Sequence, residues 1–136
     1  MVFRNNYYFL SNMFPCTISY NGKTYKCAEA AFQAQKDLNS SLNFTEVDGF
    51  TAKKYGRKVN LRKDWNSVRV AIMKEILIAK FTQNPELLFK LKEITEPIIE
   101  ENTWNDTFWG VCRGRGENHL GKLLEEVKFE LEVFEG

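Results

Sequence analysis

The chain has 136 residues, 43% of them hydrophobic and 27% charged, so it can bury a sizeable core without a disulfide or a structural metal, and one domain over residues 1–136 is expected. A formal net charge of +1 supplies no bulk field to recruit an anionic membrane or a long stretch of nucleic acid, though it leaves room for a local basic patch. No apolar run reaches the length of a membrane span, the start Met1-Val-Phe-Arg-Asn-Asn6 lacks the apolar region of a signal peptide, and three scattered cysteines with one histidine build neither a disulfide framework nor a His-rich metal site; reduced thiols in a cytoplasmic protein are expected.

In chain order, Tyr8 to Pro15 mixes aromatics with Ser11 and Asn12, and Pro15 argues against a continuous helix there. Residues 17–20 and 23–26 flank Asn21-Gly22, the preferred two-residue hairpin turn, and read as an antiparallel hairpin. Residues 28–36 are alanine-rich and free of Gly, Pro and β-branched side chains, which predicts a helix. A loop over 39–43 leads to a short helix over 51–58 carrying Lys53, Lys54, Arg57 and Lys58. Asp64 or Asn66 can cap a long helix to about Phe81, with Val68, Ile72, Met73, Ile76, Leu77 and Ala79 apolar. Asn84-Pro85 fits an N-cap followed by proline and starts a helix through Leu91. Residues 97–100 read as a short strand, and 102–118 as irregular chain with two tryptophans. A final helix runs from about His119 to Phe134, with Leu120, Leu123, Leu124, Val127 and Leu131 inward. The expected fold class is α+β, mostly helical with a small antiparallel β-sheet.

Three places carry candidate chemistry. Glu29, Gln33 and Lys36 (i, i+4, i+7) share one face of the alanine-rich helix, where a carboxylate, a carboxamide and an amine point together; the same spacing also describes an ordinary solvated face. The stretch Glu100 to Gly110 concentrates acids, amides, Trp104 and Trp109, as where a ring stacks and an acid accepts hydrogen bonds from hydroxyls, or as in a hydrophobic plug with solvated neighbours. Arg57, Lys58, Arg62 and Lys63 surround Trp65, either as a phosphate-binding cluster or as a solvated basic face. Gly114 to Asn118 precedes a helix and weakly suggests a phosphate cradle, a plain glycine loop being the stronger reading. His119 reads as structural or capping.

The order of motifs resembles the NADAR (NAD- and ADP-ribose-associated), or YbiA-like, family. It runs from Phe9-Leu-Ser-Asn12 and Phe14-Pro-Cys16 through the Asn-Gly hairpin to Ala28-Glu29-x-x-Phe32-Gln33-Ala34-x-Lys36, then Ala52 to Gly56-Arg57, Asp64-Trp65, Met73, Lys80-Phe81, Ile99-Glu100, Asp106, Trp109-Gly110 and Asn118-x-x-Gly121. Cys27 stands where such sequences often have a hydroxyl residue, so the helix cap is expected to differ.

The resemblance implies an N-glycosidase acting on ribose joined through an exocyclic amine, with early riboflavin-pathway intermediates and ADP-ribose linked to guanine as substrate classes. The expected partner is a small nucleotide or an ADP-ribosylated guanine, with room for a few unpaired nucleotides of single-stranded nucleic acid and no role for a membrane. Glu29 would be the general acid or base, Asp106 would stabilise positive charge at the anomeric carbon, and Lys36 would be a nucleophile or an electrostatic partner of Glu29. Trp65 and Trp109 are the stacking candidates, Arg57 the phosphate candidate, and Asn12, Gln33, Glu100, Gly110 and Asn118 complete the substrate-binding set. No step calls for a metal or a redox cofactor. The competing reading is a non-catalytic ADP-ribose or nucleotide-binding module using the same residues without turnover.

Overall fold

The computed structural model describes residues 1–135 of the chain. The fold is α+β and mostly helical, with two small two-stranded sheets among the described residues. Residues 12–85 make one compact unit; residues 1–11 with the chain from 86 onward make the other.

In the unit formed by residues 12–85, strands β1 (Ile18–Tyr20) and β2 (Lys23–Tyr25) pair antiparallel with Ile18 opposite Tyr25. Asn21 and Gly22 hold φ of 49° and 81°, the left-handed pair that a two-residue hairpin turn needs. Helix α1 covers Ala28–Ala34, shorter than the sequence predicts. Its end tightens: the Gln35 and Lys36 amides donate three residues back, to Phe32 and Gln33, so Lys36 lies on a final 3-10 turn. All seven residues of α1 are buried, which removes the solvated-face reading of Glu29 and Gln33. Cys27 caps α1 without a side-chain hydrogen bond. Helix α2 (Gly49–Gly56) starts on Asp48, whose carboxylate accepts the Thr51 amide at 2.8 Å. Helix α3 (Trp65–Gln83) buries Trp65, Met73, Ile76, Leu77, Lys80 and Phe81. Asp64 precedes it but gives no side-chain cap, because its carboxylate is held in a fork by Arg62 at 2.6 and 3.0 Å. Asn84 donates its amide to the Thr17 and Lys80 carbonyls, closing the end of α3 onto the approach to the hairpin.

The other unit holds a 3-10 turn (Asn5–Leu10), all but the first residue of helix α4 (Pro85–Glu93), strands β3 (Glu101–Asn102) and β4 (Val111–Cys112), and helix α5 (His119–Glu135). The inward residues expected for α5, Leu120, Leu123, Leu124, Val127 and Leu131, are all buried. Residues 97–100 are not the expected strand; the strand begins at Glu101 and pairs parallel to β4. The cause is side-chain capture of the backbone. Asn118 donates to the Ile98 carbonyl and accepts the Glu100 amide, both at 3.0 Å, while Glu125 accepts the Ile98 amide. The glycine loop is no phosphate cradle either. The amides of Glu117, Asn118, His119 and Leu120 donate to the carbonyls of Thr107, Gly110, Phe108 and Trp109, so the first turn of α5 is already satisfied. Among the described residues no helix is long and apolar enough to cross a membrane, and no group of three metal-ligating side chains occurs.

Candidate functional site

The sequence candidates fall into two groups, one in each unit. The first is built on α1. Its start is fixed by the Glu29 amide, which donates to the Asn12 carbonyl at 2.9 Å. Glu29 is 8% exposed, and the Gln33 amide donates to its carboxylate at 2.8 Å. A carboxylate taken out of water needs such donors to keep its charge. Lys36, one further turn on, is half-buried. Burial lowers its pKa below that of an ordinary lysine, and the nearby charges of Arg57 and Lys53 push the same way, while Glu29 opposes them. Glu29, Gln33, Lys36, Arg57 and Lys53 are therefore electrostatic neighbours: one buried acid, one amide and three cations.

The alanines and two glycines allow this density. A Cβ at Gly56 would lie 1.9 Å from Gln33 Oε1 and 3.4 Å from Lys36 Nζ, and one at Gly49 would lie 3.2 Å from Glu29 Cβ and 2.2 Å from Met13 Sδ. Helix α2 thus presents bare backbone to the functional face of α1. The Asn12 side chain donates to Met73 Sδ at 3.5 Å. The Asn12 Oδ1 and Gln33 Oε1 acceptors are buried with no hydrogen-bond partner, a state that costs about 1–3 kcal/mol per group. Trp65 is 6% exposed, with its ring centroid 4.9 Å from that of Phe32, so it braces α1 from the start of α3. Arg57 follows α2 as its C-cap and is exposed; Arg62 is committed to Asp64.

The second group centres on Asn102, which the sequence reading did not single out. Its amide donates to Glu100 Oε2 at 2.8 Å and to the Asp106 carbonyl at 2.9 Å, and its Oδ1 accepts the Asp106 amide at 3.1 Å. Asp106 Oδ1 in turn accepts the amides of Phe108 and Trp109 at 3.2 and 2.9 Å, so this carboxylate shapes the turn that carries Trp109. Glu100 is 8% exposed, and a Cβ at Gly110 would fall 1.6 Å from its Oε2. Trp109 meets Phe108 edge-on at 4.9 Å, and His119 stacks on Phe108 at 4.3 Å. Asn118, at φ 54°, spends its amide on Ile98 and Glu100 as described. Nothing in the spacing of the sequence sets Asn102 apart from the neighbouring amides.

The family model for the NADAR domain matches residues 2–132. N-glycosidase YbiA of Escherichia coli strain K12 is 36% identical over 129 residues, which span 90% of this chain and 81% of that protein. The riboflavin biosynthesis protein VVA0006 of Vibrio vulnificus is 33% identical over 133 residues, 93% of this chain but only 36% of that longer protein. The NMR structure of the E. coli protein YbiA superposes with a TM-score of 0.86 at 33% identity, covering 99% of this chain and 86% of that one.

Proposed function

The chain belongs to the NADAR family, and we propose that it is an N-glycosidase cleaving the bond between ribose, carried as ribose phosphate or ADP-ribose, and an exocyclic amine of a base. The observation that carries the reading is the buried Glu29 carboxylate clamped by Gln33 one helical turn before a lysine whose charged form is disfavoured.

Breaking such a bond requires a proton on a poor nitrogen leaving group and a stabilised cation at the anomeric carbon. Glu29, a carboxylate at rest, takes a proton from the attacking nucleophile and passes it to the leaving nitrogen as the carbon–nitrogen bond breaks. A glycosylamine that keeps its N–H also opens to an imine. Lys36 Nζ, when neutral, adds to that carbon and expels the amine of the base, leaving a Schiff base that water hydrolyses to free ribose and regenerated lysine. The buried acceptors of Asn12 and Gln33 suit the hydroxyl donors of a ribose, and the Arg57 and Lys53 charges suit its phosphate. In the other unit, the Asp106 carboxylate accepts the Phe108 and Trp109 amides and so fixes the turn that carries the Trp109 ring.

The test is release from two substrates, followed by mass spectrometry: ADP-ribose linked to guanine in single-stranded DNA, and a ribosylaminopyrimidine phosphate. Release from one of them, abolished in Glu29→Gln with binding retained, is expected. Binding of ADP-ribose with no release from either substrate would replace the enzyme by a binding module.

A further inference from the structure

The short strands beside the second group build a feature that the glycosidase chemistry does not use. Strand β3 lies between two parallel neighbours, β4 on one side and Val2 on the other, through the Val2–Glu101 bridge. Beyond β4 the chain reverses in a two-residue turn, with Cys112 and Arg115 exchanging backbone hydrogen bonds at 2.8 and 3.1 Å. The turn positions are Arg113 at φ 52° and Gly114 at φ 78°. Glycine suits the second; the first ordinarily takes Asn, Asp or Gly, and an arginine there is strained. A residue that breaks a local rule without a visible structural gain marks a place to look for function.

Arg113 lines a groove of about 500 Å³ with Arg4, Trp104 and Val2, over a floor that includes the buried Phe3. Trp104 is 60% exposed, an unusual cost for so large an apolar ring. Glu101, the one acid of the lining, is paired with the Met1 amino group at 3.1 Å. Asn102, also in the lining, is turned to Glu100 and Asp106. What remains is an indole face and two guanidinium groups around an apolar floor, within the usual size range of a small-ligand site.

We infer that this groove is a nucleotide-binding site, with a base stacked on Trp104 and its phosphate held by Arg113 and Arg4. Flat π-faces stack on tryptophan whatever the base, and a guanidinium fork matches phosphate oxygens, so the two halves of the groove match the two halves of one ligand. An apolar peptide or a second copy of this chain would instead cover two guanidinium groups without supplying an anion. A free mononucleotide and an unpaired nucleotide within a single strand offer the same chemistry. All the lining residues belong to one unit, and binding is read without turnover, so the inference stands or falls apart from the glycosidase reading.

The test uses the tryptophan indole N–H resonances of the whole chain, with that of Trp104 assigned by Trp104→Phe. Adenosine 5′-monophosphate is expected to shift the Trp104 resonance saturably, and adenosine to bind roughly tenfold more weakly for want of the phosphate. Arg113→Asn puts a preferred residue into the turn, so it should melt no lower than the parent while its affinity for the monophosphate falls several-fold towards that for adenosine. Tighter binding of a six-nucleotide single-stranded DNA than of the monophosphate would assign the ligand to a strand; equal binding would assign it to the free nucleotide. The inference is overturned if the Trp104 resonance stays still in millimolar monophosphate, if Arg113→Asn and Trp104→Ala bind it in titration calorimetry as the parent does, or if the resonance moves with protein concentration alone.

Discussion

Lys36 is the residue on which the chemistry turns. Its charged form is disfavoured because the side chain is half out of water and faces Arg57 and Lys53, and the Glu29 carboxylate offsets this only in part. A lowered pKa enlarges the neutral, nucleophilic fraction at any pH below the ordinary lysine range, so turnover should rise with pH and level off before that range is reached. Lys36→Arg keeps the positive charge beside Glu29 but cannot form a Schiff base under these conditions. Borohydride added during turnover is expected to leave a reduced ribosyl adduct on a peptide containing Lys36 in the parent and none in Lys36→Arg, whose rate should fall at least roughly a hundredfold, the lower bound for losing a positioned catalytic group. Turnover undiminished in Lys36→Arg would reduce the lysine to an electrostatic partner of Glu29.

Helices α1 and α2 show what holds that lysine in place. Their approach depends on Gly56, where a Cβ would sit 1.9 Å from the buried Gln33 Oε1. Gly56→Ala must push the Gln33 amide off its place, and with it the 2.8 Å bond to Glu29. The expected result is a loss of about 1–3 kcal/mol in urea denaturation, typical of overpacking, together with a fall in kcat larger than any change in KM. Gly56→Ala with parental kcat would show that the Gln33–Glu29 clamp is dispensable. The sequence disclosed much of this element: the alanines, the i, i+4, i+7 spacing and the Asn-Gly turn are local signals, and local signals survive in one dimension. It could not disclose that the polar stripe is buried, because burial depends on glycines twenty residues away on α2. Residues 97–100 misled for a related reason. Their apolar pair looks like a strand, but the backbone partners are the side chains of Asn118 and Glu125, far along the chain and silent in any periodicity. Asn102, which organises Glu100 and Asp106, left no repeat or spacing signal either.

At the scale of the whole molecule the most consequential residue is one without an assigned role in the chemistry. Lys80 is fully buried in α3, its Nζ 5.3 Å from the Phe81 ring centroid and 5.9 Å from that of Phe14. Its position is visible in the sequence as the fourth residue after Ile76 and the seventh after Met73, on the apolar face. Burial lowers its pKa from 10.5 to about 8, with the Cys16 and Cys27 thiols pulling weakly the other way. Between those two pH values the unfolded chain keeps a proton that the folded chain has released, so stability must rise as pH rises through this window. Below pH 8 both states are protonated and the folded protein carries the whole cost of an ammonium out of water, on the order of 3 kcal/mol from the difference in pKa. Lys80→Met keeps the length and the apolar stem and removes the charge. Urea denaturation of parent and variant at pH 7, 8, 9 and 10 gives a difference in which the groups not coupled to Lys80 cancel, the raised Tyr25 phenol among them. That difference should shrink steadily from pH 8 towards 10, because only the parent gains stability from losing the Lys80 proton. A difference constant with pH would mean that Lys80 titrates alike in the folded and unfolded chains, and that a buried ammonium is held in this core at no net cost.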